Sequence, residues 1–392
     1  MSRFVVVFQY FVARQKGIAV PIKKTTVQFV RGLAITCMAV LAACCPAEEL
    51  ATTSVFKAGT EGYHTFRIPA LIRTPHRLIA FCEGRLNDRS DSGEIDLVMK
   101  YSLDEGVTWS SLSVVVHDAG FTCGNPAPVY DDRAGRLVLV WTKNPATAKE
   151  SRILTGEDPP RTVWVTGSGD EGDTWSTPVE ISATTRRPEW RWYATGPGHA
   201  IQLRSGRLLV PANHSLGPEF SGWHAHVIFS DDGGATWAIG GIHEGYTNES
   251  TVAELPDGRV YQNMRSYTGE NRRRVSYSED GGLTWTADRS DAALVEPVCQ
   301  ASVLGDGLRP LLLFSNPASA NREKMTVRAS SDGGATWPNA IELYAGPSAY
   351  SDLAWLNEST VACVYERGAQ GAYEEIVVTR IPLDRLAPVA AR

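Results

Sequence analysis

Five near-copies of one eight-residue pattern, S-x-D-x-G-x-T-W, recur along the chain: Ser102–Trp109, Ser168–Trp175, Ser230–Trp237, Ser278–Trp285 and Ser330–Trp337. Successive copies start about 50 to 65 residues apart, close to the length of a four-stranded propeller blade. Each position has a mechanical reading. The Asp carboxylate accepts hydrogen bonds from backbone N–H groups and holds a hairpin turn. Gly supplies the positive φ that such a turn requires, and Trp offers a large apolar body to pack between neighbouring sheets. The repeats predict an all-β, six-bladed β-propeller. Five copies mark five blades, and the sixth is completed by joining Ala349–Ile381 to the strand that begins the domain near Phe56, which removes the free edges of an open array.

Between the repeats, from about Thr52 to Ile381, short hydrophobic strands alternate with Gly-led turns and show almost no helical periodicity. Gly135–Trp141, Gly206–Pro211 and Asp257–Tyr261 are examples. One propeller domain over residues 52–385 therefore takes up most of a chain whose length alone would suit two or three domains. In such a ring a ligand site belongs at one mouth of the central channel. The repeated turns lie away from that mouth, so a site residue stands about a strand length from its own repeat.

Residues 1–47 are of another class. They hold Arg3, Arg14, Lys16, Lys23, Lys24 and Arg31 with no Asp or Glu, followed by an apolar run, Gly32–Ala43, that ends in small residues. This is the pattern of a cleaved export signal, too short in its apolar part for a comfortable membrane span. Leu41-Ala42-Ala43-Cys44 also fits a lipoprotein site with Cys44 lipidated, and a simple cut near Ala47 reads equally well. The mature protein is expected to be exported: periplasmic, secreted or lipid-anchored at the cell surface.

Without that segment the net charge is about −12, which excludes nucleic-acid binding by bulk electrostatics. An anionic ligand would have to be captured by a local cluster of Arg. Cys82, Cys123, Cys299 and Cys363 have no zinc-like spacing and read as isolated buried thiols. The Asp residues of the repeats alternate with Gly and Thr as turn formers and make no calcium ladder; no metal or other cofactor is expected.

Three arginines stand at comparable places before repeats. Arg67 lies in Phe66-Arg67-Ile68-Pro69, where Pro favours an extended approach and leaves Arg67 projecting at a strand end. Arg265 follows Asn263-Met264, and Arg322 follows Asn316–Asn321. Converging on the channel, three guanidiniums would form a carboxylate clamp with bidentate geometry that Lys cannot reproduce. Arg328 competes for the third place but lies two residues before Ser330, at the wrong end of its strand.

Phe-Arg-Ile-Pro followed by repeated S-x-D-x-G-x-T-W turns resembles the exo-sialidases (neuraminidases) of the retaining propeller type, over about residues 56–381. Further stretches occur in the family's order: Glu83-Gly84-Arg85 with a downstream Asp, Asn125–Pro128, Gly196–His199, Asn248-Glu249, Asn263–Arg265, Ala349–Leu353, and Tyr365-Glu366 ahead of Tyr373–Ile376. The resemblance implies a clamp of Arg67, Arg265 and Arg322 for the carboxylate of sialic acid. It implies Tyr350 as nucleophile with Glu249 as its base, a neutral phenol avoiding the repulsion that a carboxylate nucleophile would meet. Asp91 would be the general acid/base, with Asp88 as the alternative. Arg85 would add a substrate contact, and Glu366 would orient Arg67.

Sialylated glycans, glycoproteins or glycolipids are the implied substrates, for a monomer. A trans-sialidase and a silent carbohydrate-binding propeller are the rival readings; the second would lack the nucleophile or the acid. Trp192, Tyr193, His214, Trp223 and His224 either line the rest of the sugar pocket or pack the blades.

Overall fold

A computed structural model describes residues 49–386. The export signal expected over 1–47, with Cys44, lies outside the described residues. Apart from short helices at Glu150–Thr155 and Ser182–Thr185 and two single turns of 3-10 helix, the regular structure is strand.

Strand pairing is antiparallel apart from one parallel bridge, Ile95 with Thr122, and joins the strands into four hydrogen-bonded sheets built of consecutive antiparallel groups. The first group runs through Thr65–Arg73, Leu78–Arg85, Ile95–Ser102 and Ser113–Val116. The last two groups share one long strand, Asn339–Asn357, which leaves Glu323–Ser330 and pairs with Thr360–Arg367 from Ser348 onward. The N-terminal strand Thr52–Lys57 closes the final sheet against Glu375–Pro382, with Phe56 opposite Ile376. Successive groups touch one another around a hub, and Thr65–Arg73 meets Asn339–Asn357 to close the circle.

The core is accordingly a ring of seams. Leu71, Leu78 and Val98 pack on Val364 and Val378 across the closing seam. Phe81 and Met99 meet Leu137 and Trp141 at the next, and Val138 and Val140 meet Val210 and Ile228 after that. Leu209 and Val227 then meet Val252 and Val260, Tyr261 meets Phe314, and Val327 meets Val361. Alternating strands present apolar residues on both faces, so each sheet is buried twice. All four cysteines in the described residues are buried free thiols.

The five repeated turns share one hydrogen-bond pattern. In the first, Ser102 Oγ donates to Asp104 Oδ1 at 2.8 Å and accepts from Gly106 N–H at 2.8 Å. Asp104 accepts from the backbone N–H and hydroxyl of Thr108 at 2.8 and 2.7 Å. The Gly has φ of 85° here and 86–96° in the other four copies, a region where a Cβ is penalised. It also abuts the preceding sheet: a Cβ on Gly106 would meet Val378, on Gly172 Met99, on Gly234 Val138 and on Gly334 Tyr261. The Trp does the same, Trp175 packing edge-on against Phe81 at 5.9 Å and Trp337 against Tyr261 at 6.5 Å. Each turn thus staples its sheet to the one before it.

The hydrogen bonds from Thr108, Thr174 and Thr236 hold Asp104, Asp170 and Asp232 down at about 2. A carboxylate depressed in the folded state stabilises above the ordinary Asp value and loses that contribution as pH falls through its folded value. We expect Asp170→Asn to lower Tm at pH 6, and the difference from wild type to shrink steadily between about pH 4 and about pH 2. A pH-independent difference in a thermal melt series would contradict this origin of the turn's stability.

Candidate active site

At one mouth of the hub lies a cavity of about 310 Å³ lined by residues from most of the sheets. Arg67 enters it from Thr65–Arg73, but not by the extended approach expected from Pro69. Ile68 has φ of 62°, and the strand pairing slips between Arg67 and Ala70. A β-branched residue in this region is strained. Glu366 compensates: its Oε1 accepts Ile68 N–H at 2.9 Å and Arg67 Nε at 3.1 Å, while Oε2 accepts Arg67 Nη2 at 3.3 Å and Tyr350 N–H at 3.1 Å. One fully buried carboxylate therefore sets both the bulge that turns Arg67 inward and the backbone at Tyr350.

Arg265 reaches the cavity from Val260–Ser266 and pairs with Glu249 at 2.7 Å. Arg322, in the turn ahead of Glu323–Ser330, donates to the hydroxyl of Tyr373 at 2.7 Å. Its guanidinium carbon lies 5.7 Å from the Tyr350 ring centre, and that of Arg67 lies 5.1 Å from it. The structure thus brings Arg67, Arg265 and Arg322 around Tyr350. Arg328 instead bonds the Asn316 side chain at 3.3 Å and does not line the cavity.

The Tyr350 hydroxyl donates to Glu249 Oε1 at 2.5 Å, and Arg265 Nη1 stands 3.4 Å from the same hydroxyl. Burial, reinforced by the Glu249 charge, pushes the phenol well above its usual range, against the pull of Arg265 and Arg322. Tyr350 is therefore a neutral phenol poised against a carboxylate that sits only 2.7 Å from a guanidinium. Such a pair passes its proton when an electrophile draws on the oxygen.

Across the cavity, Asp91 lies 2.7 Å from Arg85 Nη2 and 3.5 Å from Arg67 Nη1, with 62% of its side chain exposed. Partial burial pushes its carboxyl up, but Arg85 and then Arg67 outweigh it and hold the group below the ordinary Asp range. Asp88, the alternative, accepts only Ser90 N–H on an exposed turn. Arg85 is committed to Glu83 at 2.6 Å, to the Arg89 carbonyl at 2.6 Å and to Asp91, so it anchors the loop that carries Asp91.

Of the five undecided aromatic residues, Trp192 and Trp223 line the cavity. Tyr193 and His214 join Trp190 and His226 in a buried stack, with His214 on Trp190 at 3.6 Å. His224 donates to the His243 carbonyl.

Sequence reasoning missed Arg161, Asn213, Glu150 and Tyr267, all in the cavity wall. Arg161 is buried and has no carboxylate within ion-pair distance among the described residues. It donates to Asn125 Oδ1 at 2.8 Å and lies over the Trp192 ring at 4.4 Å, while its Nε has no partner. Burial lowers it to about 10. Both amide atoms of buried Asn213 are also unpartnered. This wall holds unspent hydrogen-bonding capacity for a polar, hydroxyl-bearing ligand. No repeat or motif marks these four positions, whereas Glu83, Asn125, Asn248 and Tyr373 of the same wall stood within quoted stretches.

Residues 76–363 match the BNR repeat-like domain. The chain is 33% identical over 297 residues to an exo-alpha-sialidase of Aspergillus fumigatus, covering 70% of each chain. It is 31% identical over 363 residues to Sialidase-2 of Mus musculus, covering 83% of this chain and 94% of that one. Among solved structures, a Hadza microbial sialidase superposes with a TM-score of 0.77 at 29% identity, over 86% of this chain and 69% of that one.

Removing the Glu366 charge strands a buried guanidinium and two backbone N–H groups, so Glu366→Gln should cost about 3–5 kcal/mol in urea unfolding. An unchanged unfolding midpoint would show that the Arg67–Glu366 pair is not formed.

Proposed function

This chain belongs to the sialidase family, a glycoside hydrolase family of β-propellers, and on that premise we propose that it releases terminal α-ketosidically linked sialic acids with retention, through a covalent intermediate on Tyr350. The observation that carries this reading is the 2.5 Å contact between Tyr350 and Glu249 at the focus of three guanidiniums.

In the proposed course, Arg67, Arg265 and Arg322 hold the substrate carboxylate, which is attached to the anomeric carbon. A carboxylate nucleophile about 4 Å from that group would add about 4 kcal/mol of repulsion at an effective dielectric of about 20, roughly a thousandfold in rate. A phenol carries no such penalty until its proton leaves. Glu249 takes that proton as the Tyr350 oxygen bonds to the anomeric carbon, and Asp91 gives its proton to the departing glycosidic oxygen. Asp91 then accepts a proton from water, whose oxygen displaces Tyr350 and returns the original configuration, while Glu249 gives the phenol its proton back. The exposure of Asp91 lets water reach it, which favours hydrolysis over transfer to a second glycan. Nucleophile, base and acid side by side argue against a silent binding module.

Asp91 must be protonated to act, yet Arg85 and Arg67 favour its ionised form. A substrate carboxylate that engages Arg67 weakens that hold, so the acid group strengthens its grip on the proton once the site is filled. The alkaline limb of kcat should therefore lie at higher pH than that of kcat/KM, since the second reports the free enzyme. Coincident limbs would contradict this coupling.

Tyr350→Phe should remain folded and lose at least about 100-fold in kcat/KM on an aryl sialoside, and NMR of the wild-type reaction should show the α-anomer of the sugar first. First appearance of the β-anomer would overturn retention. Defined sialyllactoses, with and without added lactose, separate hydrolysis from transfer.

A further inference from the structure

Two stretches have no part in the reaction above: Gly196-Pro197-Gly198-His199, and Asp352 two residues beyond Tyr350. They meet at the hub. Asp352 lies two residues beyond Tyr350 on the same strand, just past an irregularity in its pairing between Ser348 and Ser351, and it is almost fully buried. Its carboxylate accepts five hydrogen bonds. Leu71 N–H and His199 N–H reach Oδ2 at 2.8 Å each. The His199 ring, the Ser302 hydroxyl and Leu353 N–H reach Oδ1 at 2.7, 2.7 and 3.0 Å.

These donors come from four different groups of strands around the ring. Gly198, at φ of 102°, is pressed on the carboxylate so closely that a Cβ would lie 3.2 Å from Oδ1. Gln300 continues the tie, donating to the Pro197 and Ser351 carbonyls at 3.0 and 2.9 Å and accepting Ser351 N–H at 3.0 Å. His199 also lines a second cavity, of about 440 Å³, which shares no lining residue with the site.

We propose that Asp352, held by His199 and Ser302, is a positioning residue for the nucleophile: it ties the strand that carries Tyr350 to three other groups of strands and so fixes the phenol against Glu249. This rests on the assignment of Tyr350 above. A tie of this kind has a recognisable kinetic mark. The three clamp arginines stand on other segments, and their bonds to Glu366, Glu249 and Tyr373 do not pass through Tyr350, although Glu366 and Glu249 also bond it, so loosening Tyr350 should cost carboxylate capture far less than bond formation. Bond formation, which depends on sub-ångström placement of the phenol oxygen, suffers.

The test uses the full chain with Asp352→Asn, His199→Asn and Ser302→Ala, measured well below each variant's Tm. We expect Asp352→Asn to lower kcat on an aryl sialoside by about 10- to 100-fold, Ser302→Ala to lower it less, and His199→Asn, which keeps a donor near the ring nitrogen's place, to lie between. Affinity for the unsaturated analogue 2-deoxy-2,3-didehydro-N-acetylneuraminic acid should stay within about twofold in all three. Wild-type kcat in the folded variants, or equal losses in kcat and analogue affinity, would overturn the proposal; if Asp352→Asn does not fold, the other two variants decide it by the same criterion. Tyr350→Phe is run alongside, so that an error in the nucleophile appears as activity surviving there rather than in the hub variants.

Discussion

Three guanidinium groups gathered at one cavity mouth repel one another, and much of the surrounding structure serves to hold them there. Arg67 is held by Glu366 and Asp91 and Arg265 by Glu249, while Arg322 is held by the Tyr373 hydroxyl. Among the described residues Arg322 therefore lacks a carboxylate partner, inside a domain that is acidic as a whole. A ligand carboxylate would supply that charge and replace a local repulsion with bidentate contacts. The same shortage tunes the phenol, because Arg265 and Arg322 oppose the upward push of burial on Tyr350.

The arrangement depends on long-range closure. Arg67 and Glu366 stand 299 residues apart in sequence, and Tyr350 and Glu249 stand 101 apart. Both pairs join distant parts of the ring, which Thr52–Lys57 closes by pairing with Glu375–Pro382. The repeated turns act at the seams and the Asp352 cluster acts at the axis, so rim and hub are secured by different interactions. The rim relies on Trp burial and on turn carboxylates hydrogen-bonded within their own eight residues; the hub relies on a buried carboxylate shared among several sheets.

Legibility in the sequence followed locality. The turns at Asp104 and its counterparts are local hydrogen-bond motifs, so eight residues suffice to show them, and their spacing carries the architecture. Arg67, Arg265, Arg322, Tyr350, Glu249 and Asp91 were named through motifs, and the structure places them in one cavity. The path of Arg67 was misjudged because a Pro-based local rule was overridden by Glu366, which arrives from the far end of the chain. Arg161 and Asn213 were invisible for a related reason. What marks them is burial without a partner, a property of the assembled cavity and of no sequence window. Tyr193 and His214 could not be told from Trp192 and Trp223, since strand alternation sends adjacent residues to opposite faces and the sequence does not say which face meets the channel.

The central claim, that Tyr350 is the atom source of the covalent bond to the sugar, is tested most directly with 2,3-difluorosialic acid, whose fluorine at C2 leaves readily while that at C3 slows release. After brief incubation, digestion and mass spectrometry, the account predicts a fluorosialyl adduct on the peptide containing Tyr350, absent in Tyr350→Phe. An adduct on Glu249 or Asp91, or none while the enzyme turns over sialosides, would contradict it.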